Sequence, residues 1–249
     1  MTTMAPPLRP PADIPTPGAP ETLAVRSMFD RIAPRYDLLN RVLSGGIDGL
    51  WRRRAVHALA APPGARILDL CTGTADLLIE ALGRGTGTRG VGLDMSMPML
   101  ARAARKLTRG GMSARAALVA GDAQALPVRG EAFDGALIGF GIRNVGDIAG
   151  ALAEIRRVLR PGGRLAVLEF SNPDGAMGVL YRAYSRLVLP RLGGWISGDR
   201  GAYAYLPASV ARFPAPAEFG ALLERAGFFK VRWQPLTGGI AHVFEGERR

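Results

Sequence analysis

At 249 residues, 48% of them apolar, the chain can enclose one large hydrophobic core. No apolar run approaches the roughly 18 residues of a membrane span, and a single cysteine excludes an intrachain disulfide framework. The formal charge of +11 comes from 30 arginines and two lysines, Lys106 and Lys230, scattered along the chain except for the run Arg52-Arg53-Arg54, which argues against a nucleic-acid-binding stripe.

The first twenty residues hold seven of the nineteen prolines and almost nothing to bury, so residues 1–22 read as a disordered tail. The N-terminus shows no charged stretch followed by an apolar core, so no secretory leader is expected. A single domain is expected over residues 23–249. It opens with helical pattern over 24–60, interrupted near Ser44-Gly45-Gly46. Strand-like runs follow at 66–70, 90–93, 116–120, 134–139 and 164–170, separated by helical stretches at 76–83, 96–108 and 147–159. The last of these should stop at Arg160-Pro161-Gly162-Gly163. Strand and helix alternating at this spacing predict a doubly wound, mostly parallel sheet. Beyond Ser171 the rhythm changes to a long amphipathic region at 178–192, a tyrosine-containing segment at 201–213 and a helix at 216–226. Two closing runs, 229–234 and 239–244, suit an antiparallel pair at one edge, for seven strands in all.

In such sheets ligands bind at the carboxyl ends of the strands. Here those ends are Asp69–Thr74, Asp94, Gly121–Ala123, Gly139–Asn144 and Glu169–Asn172, the polar or glycine-rich spots in otherwise apolar runs. The first turn, Asp69-Leu-Cys-Thr-Gly-Thr-Ala-Asp76, lacks the glycines of a dinucleotide fingerprint, and Asp69 and Asp76 would repel a pyrophosphate. An acidic turn suits a cationic ligand instead, and S-adenosylmethionine carries both a sulfonium and an ammonium. Asp94, after the second strand, is placed to accept two ribose hydroxyls; the competing reading is a helix cap, since Ser96 and a helix follow. Gly73 and Thr74 offer backbone N–H groups to the methionine part, and Asp122-Ala123 a side chain and an N–H to the adenine. Cys71 reads as a small filler. Arg143 and Asn144 are polar groups on an apolar strand end, facing the substrate side. His57 and His242, the two histidines, have no metal-ligand spacing, and no metal is expected.

Several strings together resemble the menaquinone/ubiquinone-biosynthesis C-methyltransferase family: Tyr36-Asp-Leu-Leu-Asn-Arg-Val-Leu-Ser44 through Trp51, the Leu-Asp-Leu-x-x-Gly-Thr turn, and Phe140-Gly-Ile-Arg-Asn-Val145. Arg157 through Leu168-Glu-Phe-Ser171, Tyr203-x-Tyr-Leu206 and Leu236-Thr-Gly-Gly-Ile240 extend the likeness over about residues 25–246. It implies a class I methyltransferase fold. It also implies S-adenosylmethionine-dependent C-methylation of a lipophilic prenylated quinol, most commonly demethylmenaquinol, with a ubiquinone-pathway benzoquinol as the alternative. On that reading Arg143 and Asn144 handle the ring hydroxyl. Asp69, Gly73, Thr74, Asp94, Asp122, Ala123 and Gly139 hold the cofactor, and Tyr36, Phe140 and Tyr203 line the substrate pocket, to which residues 24–60 and 172–215 contribute. The chain departs from the family pattern at Asp48 and Gly49, where a histidine and a basic residue are usual, at Ala75 for glycine, and at Gly139 for serine. Ala75 calls for a negative φ. The resemblance further implies a cytoplasmic protein in peripheral contact with a membrane, without nucleic acid as partner; a homodimer is open to it. Two rivals are a nucleic-acid methyltransferase and a cofactor-binding protein without catalysis.

Overall fold

The computed structural model describes residues 19–173, 175–187 and 200–249. Its centre is a seven-stranded sheet built from β1 (Arg66–Leu70), β2 (Arg89–Asp94), β3 (Ala116–Ala120), β4 (Phe133–Gly139), β5 (Leu159–Phe170), β6 (Phe228–Leu236) and β7 (Ala241–Arg248). The strand order is β3-β2-β1-β4-β5-β7-β6. β1 to β5 pair in parallel, whereas β7 runs antiparallel to both β5 and β6. The chain winds outward from β1 to β3, then crosses back to β4, so the direction of winding reverses between β1 and β4. That reversal opens a crevice at the carboxyl ends of the strands.

The helices follow from local chemistry. Before the sheet come α1 (Ala19–Ile32), a 3-10 turn, α2 (Tyr36–Leu43) and α3 (Asp48–Leu59). The predicted break at Ser44-Gly45-Gly46 holds, because Gly45 and Gly46 take positive φ values of 60° and 81° that end α2. α4 (Asp76–Arg84) follows β1, and α5 (Met97–Arg109) follows β2, capped by the Ser96 hydroxyl on the Met99 N–H. α6 (Ile148–Val158) is capped by Asp147 on the Gly150 N–H. α7 (Gly175–Leu187), α8 (Arg200–Arg212) and α9 (Pro216–Arg225) lie between β5 and β6.

Sheet alternation builds the core in two layers. Leu68, Leu70, Ile138 and Val167 pack with α6 and α9 on one face; Ile67, Leu137, Ala166 and Leu168 pack on α3 through Trp51, Ala55 and Leu59 on the other.

Four expectations are corrected. α1 begins at Ala19, inside the stretch read as tail, and residues 1–18 lie outside the described residues. The helix does stop before Arg160, but β5 begins at Leu159 and not at 164: Phe133 pairs with Leu159, then pairing resumes at Arg164 opposite Gly135, with Arg160–Gly163 as a bulge. The tyrosine-containing segment is the helix α8, with Pro207 inside it, and the end of the 178–192 region lies outside the described residues. Ala75 sits at φ +67°, not at a negative φ. A left-handed alanine costs about 1–2 kcal/mol, and Ala75, fully buried among Leu78, Leu82 and Leu107, recovers part of that by packing.

Candidate active site

Two cavities meet at the switch point. A larger one of about 410 Å³ lies under α2, α3 and α7, and a smaller cleft of about 90 Å³ lies over the ends of β1, β2 and β4. Phe29, Tyr36 and Phe140 wall both. The backbone there is unusual: Cys71, Gly73, Ala75 and Phe140 all have left-handed φ, between 52° and 67°. Such conformations cluster where a fold presents its chemistry. An added Cβ at Gly141 would stand 2.3 Å from the Cys71 Cβ, so only glycine lets the β1 and β4 loops approach this closely.

Gly73, Asp94, Asp122, Ala123 and Gly139 line the smaller cleft, together with Asn144. Asp94 bridges the walls: its Oδ2 accepts the Gly73 N–H and its Oδ1 the Ser96 N–H, each at 2.8 Å. The helix cap is Ser96, which leaves the Asp94 carboxylate facing the cleft. Burial pushes its pKa up, against the opposing pull of those two N–H groups. Asp122 Oδ1 accepts the Gln124 N–H at 2.9 Å.

Asp69 and Thr74 do not line the cleft. Asp69 lies beneath it, fully buried, with Oδ2 accepting the Thr72 hydroxyl at 2.5 Å and Oδ1 without a hydrogen-bond partner. Burial pushes its carboxyl up to about 7. Thr74 turns away, donating to Asp37 Oδ1 at 2.5 Å and accepting from Lys106. The Cys71 thiol is held protonated, by burial first and then by Asp94, Asp69, Glu169 and Asp122 around it. The cleft floor is therefore electronegative, which fits a ligand carrying a sulfonium and an ammonium and disfavours Cys71 as a nucleophile.

The larger cavity is mostly apolar. Phe140 stacks on Phe170 with centroids 4.4 Å apart, and Trp51 stands 6.1 and 6.0 Å from them, its indole N–H donating to Thr237 at 2.9 Å. Arg143 enters this wall almost completely buried. Its Nη1 pairs with Glu169 Oε1 at 2.6 Å and donates to the Phe140 carbonyl, and its Nε donates to Ser209 at 3.3 Å. Nη2 has no protein partner among the described residues and is not sealed off, leaving it to the cavity. Burial pushes the Glu169 carboxyl up, opposed by Arg143.

Asn144 is held by the Tyr205 hydroxyl, which donates to its Oδ1 at 2.8 Å. Tyr205 lines the larger cavity; the side chain of Tyr203 lies outside the described residues. Glu169, among the strand ends named from the sequence, was given no role there, although an acid inside the apolar run Leu165–Phe170 marked it. Asp48 also belongs to the site. It is the only carboxylate lining the larger cavity among the described residues, accepting from Ser44 Oγ at 2.8 Å and pairing with Arg52 at 2.7 Å.

Replacing Asp94 by alanine should weaken S-adenosylmethionine binding more than tenfold, because two acceptors and the Gly73 anchor vanish together. Calorimetry showing near wild-type affinity would refute this placement.

A model of the ubiE/COQ5 methyltransferase family matches residues 19–248. A demethylmenaquinone methyltransferase of Thermus thermophilus is 52% identical over 89% of this chain and 100% of its own length. A ubiquinone/menaquinone biosynthesis C-methyltransferase of Syntrophotalea carbinolica is 50% identical over 90% of this chain and 93% of its own. Among solved structures, a methyltransferase dependent on S-adenosylmethionine from Thermotoga maritima superposes with a TM-score of 0.64 at 22% identity, covering 90% of this chain and 99% of that one. The cyclase SpnF superposes at 0.70 and 19% identity, covering 92% and 97%, so the fold by itself does not specify methyl transfer.

Proposed function

This chain belongs to the ubiE/COQ5 methyltransferase family and is an S-adenosylmethionine-dependent methyltransferase; we propose that it methylates a ring carbon of a prenylated quinol, demethylmenaquinol in the first place. One observation carries this reading: an apolar, aromatic-walled cavity of about 410 Å³ meets an electronegative cofactor cleft across Tyr36 and Phe140. The name borne by the Thermus relative favours demethylmenaquinone over the ubiquinone precursor.

When bound, S-adenosylmethionine supplies an electrophilic methyl group, and the residues of this chain do the rest. Asp94 would hold the ribose, Gly139 and Ala123 would flank the adenine, and Asp69, buried beneath the cleft, would act on the positive end only through its field, in its ionised form. Phe140, Phe170 and Trp51 fix the quinol ring and exclude water, so much of the rate comes from placement in a dry site. The Nη2 of Arg143 would donate to the ring oxygen as it becomes anionic, Asp48 would accept the hydroxyl proton, and the proton displaced from the methylated ring carbon would pass to that oxygen, so that one proton is released for each methyl transferred. Asn144, oriented by Tyr205, holds the wall between the two cavities.

No described helix is long and apolar enough to cross a membrane; for a lipid-confined substrate we propose a cytoplasmic enzyme in peripheral contact with the bilayer. The test is methyl transfer from S-adenosylmethionine to short-tailed quinols in detergent. Faster turnover of a demethylmenaquinol analogue than of a benzoquinol analogue supports the reading; methylation of RNA with neither quinol used would overturn it.

A further inference from the structure

The basic residues that look scattered along the sequence gather on one face of α5. Arg102, Arg105, Lys106 and Arg109, at i, i+3, i+4 and i+7, share a helix face and, with Asp37, line a cavity of about 180 Å³. Lys106 is neutralised by Asp37 and Asp76. Arg102, Arg105 and Arg109 have no carboxylate partner among the described residues, and the Arg102 Nε is sealed from solvent with no hydrogen-bond partner. Three arginines without a carboxylate partner, beside a lysine that two carboxylates neutralise, make an anion site.

What lies beside this site narrows the ligand. α2 borders both it and the substrate cavity, since Asp37 lines the first and Leu39 and Leu43 line the second. At about 100° per residue the outward strip between those faces falls to Leu38 and Val42, which are 55% and 40% exposed. The apolar strip continues around the mouth of the cavity. Ile47 and Leu180 line that mouth and are also exposed, and Leu50 and Val179 stand exposed next to them. Exposed apolar rim, apolar cavity and unpaired arginines thus adjoin, a combination that matches a surface apolar inside and anionic at its headgroups.

We propose that α2, α7 and the cationic face of α5 form a docking surface for a bilayer containing anionic phospholipid, with a headgroup phosphate held by Arg102, Arg105 and Arg109. This rests on the quinol reading, because docking here presses the mouth of the substrate cavity against the lipid. The test is sedimentation with phosphatidylcholine vesicles, with and without phosphatidylglycerol, for wild type and two double variants. Neither variant touches a residue lining the substrate cavity. Arg105→Ser/Arg109→Ser should lower partitioning onto anionic vesicles by roughly tenfold or more, with little change on neutral ones. Leu38→Gln/Val42→Gln should lower binding to both. All three proteins should methylate a short-tailed quinol in detergent equally. Wild-type sedimentation of both variants, or preference of the α5 face for RNA over vesicles, would overturn the docking surface. Loss of quinol turnover in all three, with vesicle binding as expected, would remove the substrate reading and leave the surface standing.

Discussion

Arg143→Ala should lower turnover by about a hundredfold, the scale of one lost transition-state donor, while leaving cofactor affinity unchanged. It should also destabilise the fold by about 3–5 kcal/mol, because breaking a buried pair strands the other charge. The stranded group is Glu169, fully buried, whose remaining contacts are the N–H groups of Arg143 and Phe170. Two effects from one substitution must be separated, and the pair itself allows it. Replacing a buried ion pair by apolar residues of similar volume is often neutral for stability. Arg143→Met/Glu169→Leu should therefore recover most of the loss in urea denaturation yet stay about a hundredfold slow. If turnover returned along with stability, Arg143 would be a structural support only, and another group would have to meet the developing negative charge.

That ion pair also marks how far the sequence could be read. β1 and β3 were legible to the residue, since apolar runs bounded by charge and glycine leave few alternatives. That Asp94, Asp122 and Gly139 would line one cleft was legible because parallel strands in register bring their polar ends to one edge. Partnerships across the chain were not. Nothing local to Glu169 says that it meets Arg143, 26 residues earlier. Thr74 sits in the same turn as Gly73, yet Asp37 and Lys106 draw its hydroxyl away from the cleft. Asp69 carries the right charge but lies one layer too deep, where burial governs it. Ala75 keeps a left-handed φ because its turn is over-determined by the sheet and α4, which no residue preference reveals. The α5 arginines looked scattered because a helix face gathers residues three and four apart, not neighbours.

Asp48 stands where the family pattern usually has histidine, and the structure gives that departure a meaning. A histidine and an aspartate share one capacity at this position, to accept a proton inside an apolar cavity. They differ in another, since only the carboxylate can pair with Arg52, which reaches on to Asp76 at 3.3 Å. Each Asp48 oxygen uses one acceptor position, on Ser44 or on Arg52, and keeps one for a ring hydroxyl. Asp48→Asn keeps the size and the Ser44 contact but cannot take a proton. Turnover should fall by about 10²–10⁴, with S-adenosylmethionine affinity and urea stability close to wild type. Asp48→His loses the pairing with Arg52 and regains a base, so turnover should return to within about tenfold of wild type. On the acid side its pH profile should then follow imidazole, with activity lost below about pH 6.5 as the ring takes up its proton. A merely structural Asp48 predicts the reverse order, the isosteric asparagine active and the unpaired histidine dead. Steady-state turnover of the two variants across pH 5–9 decides between them.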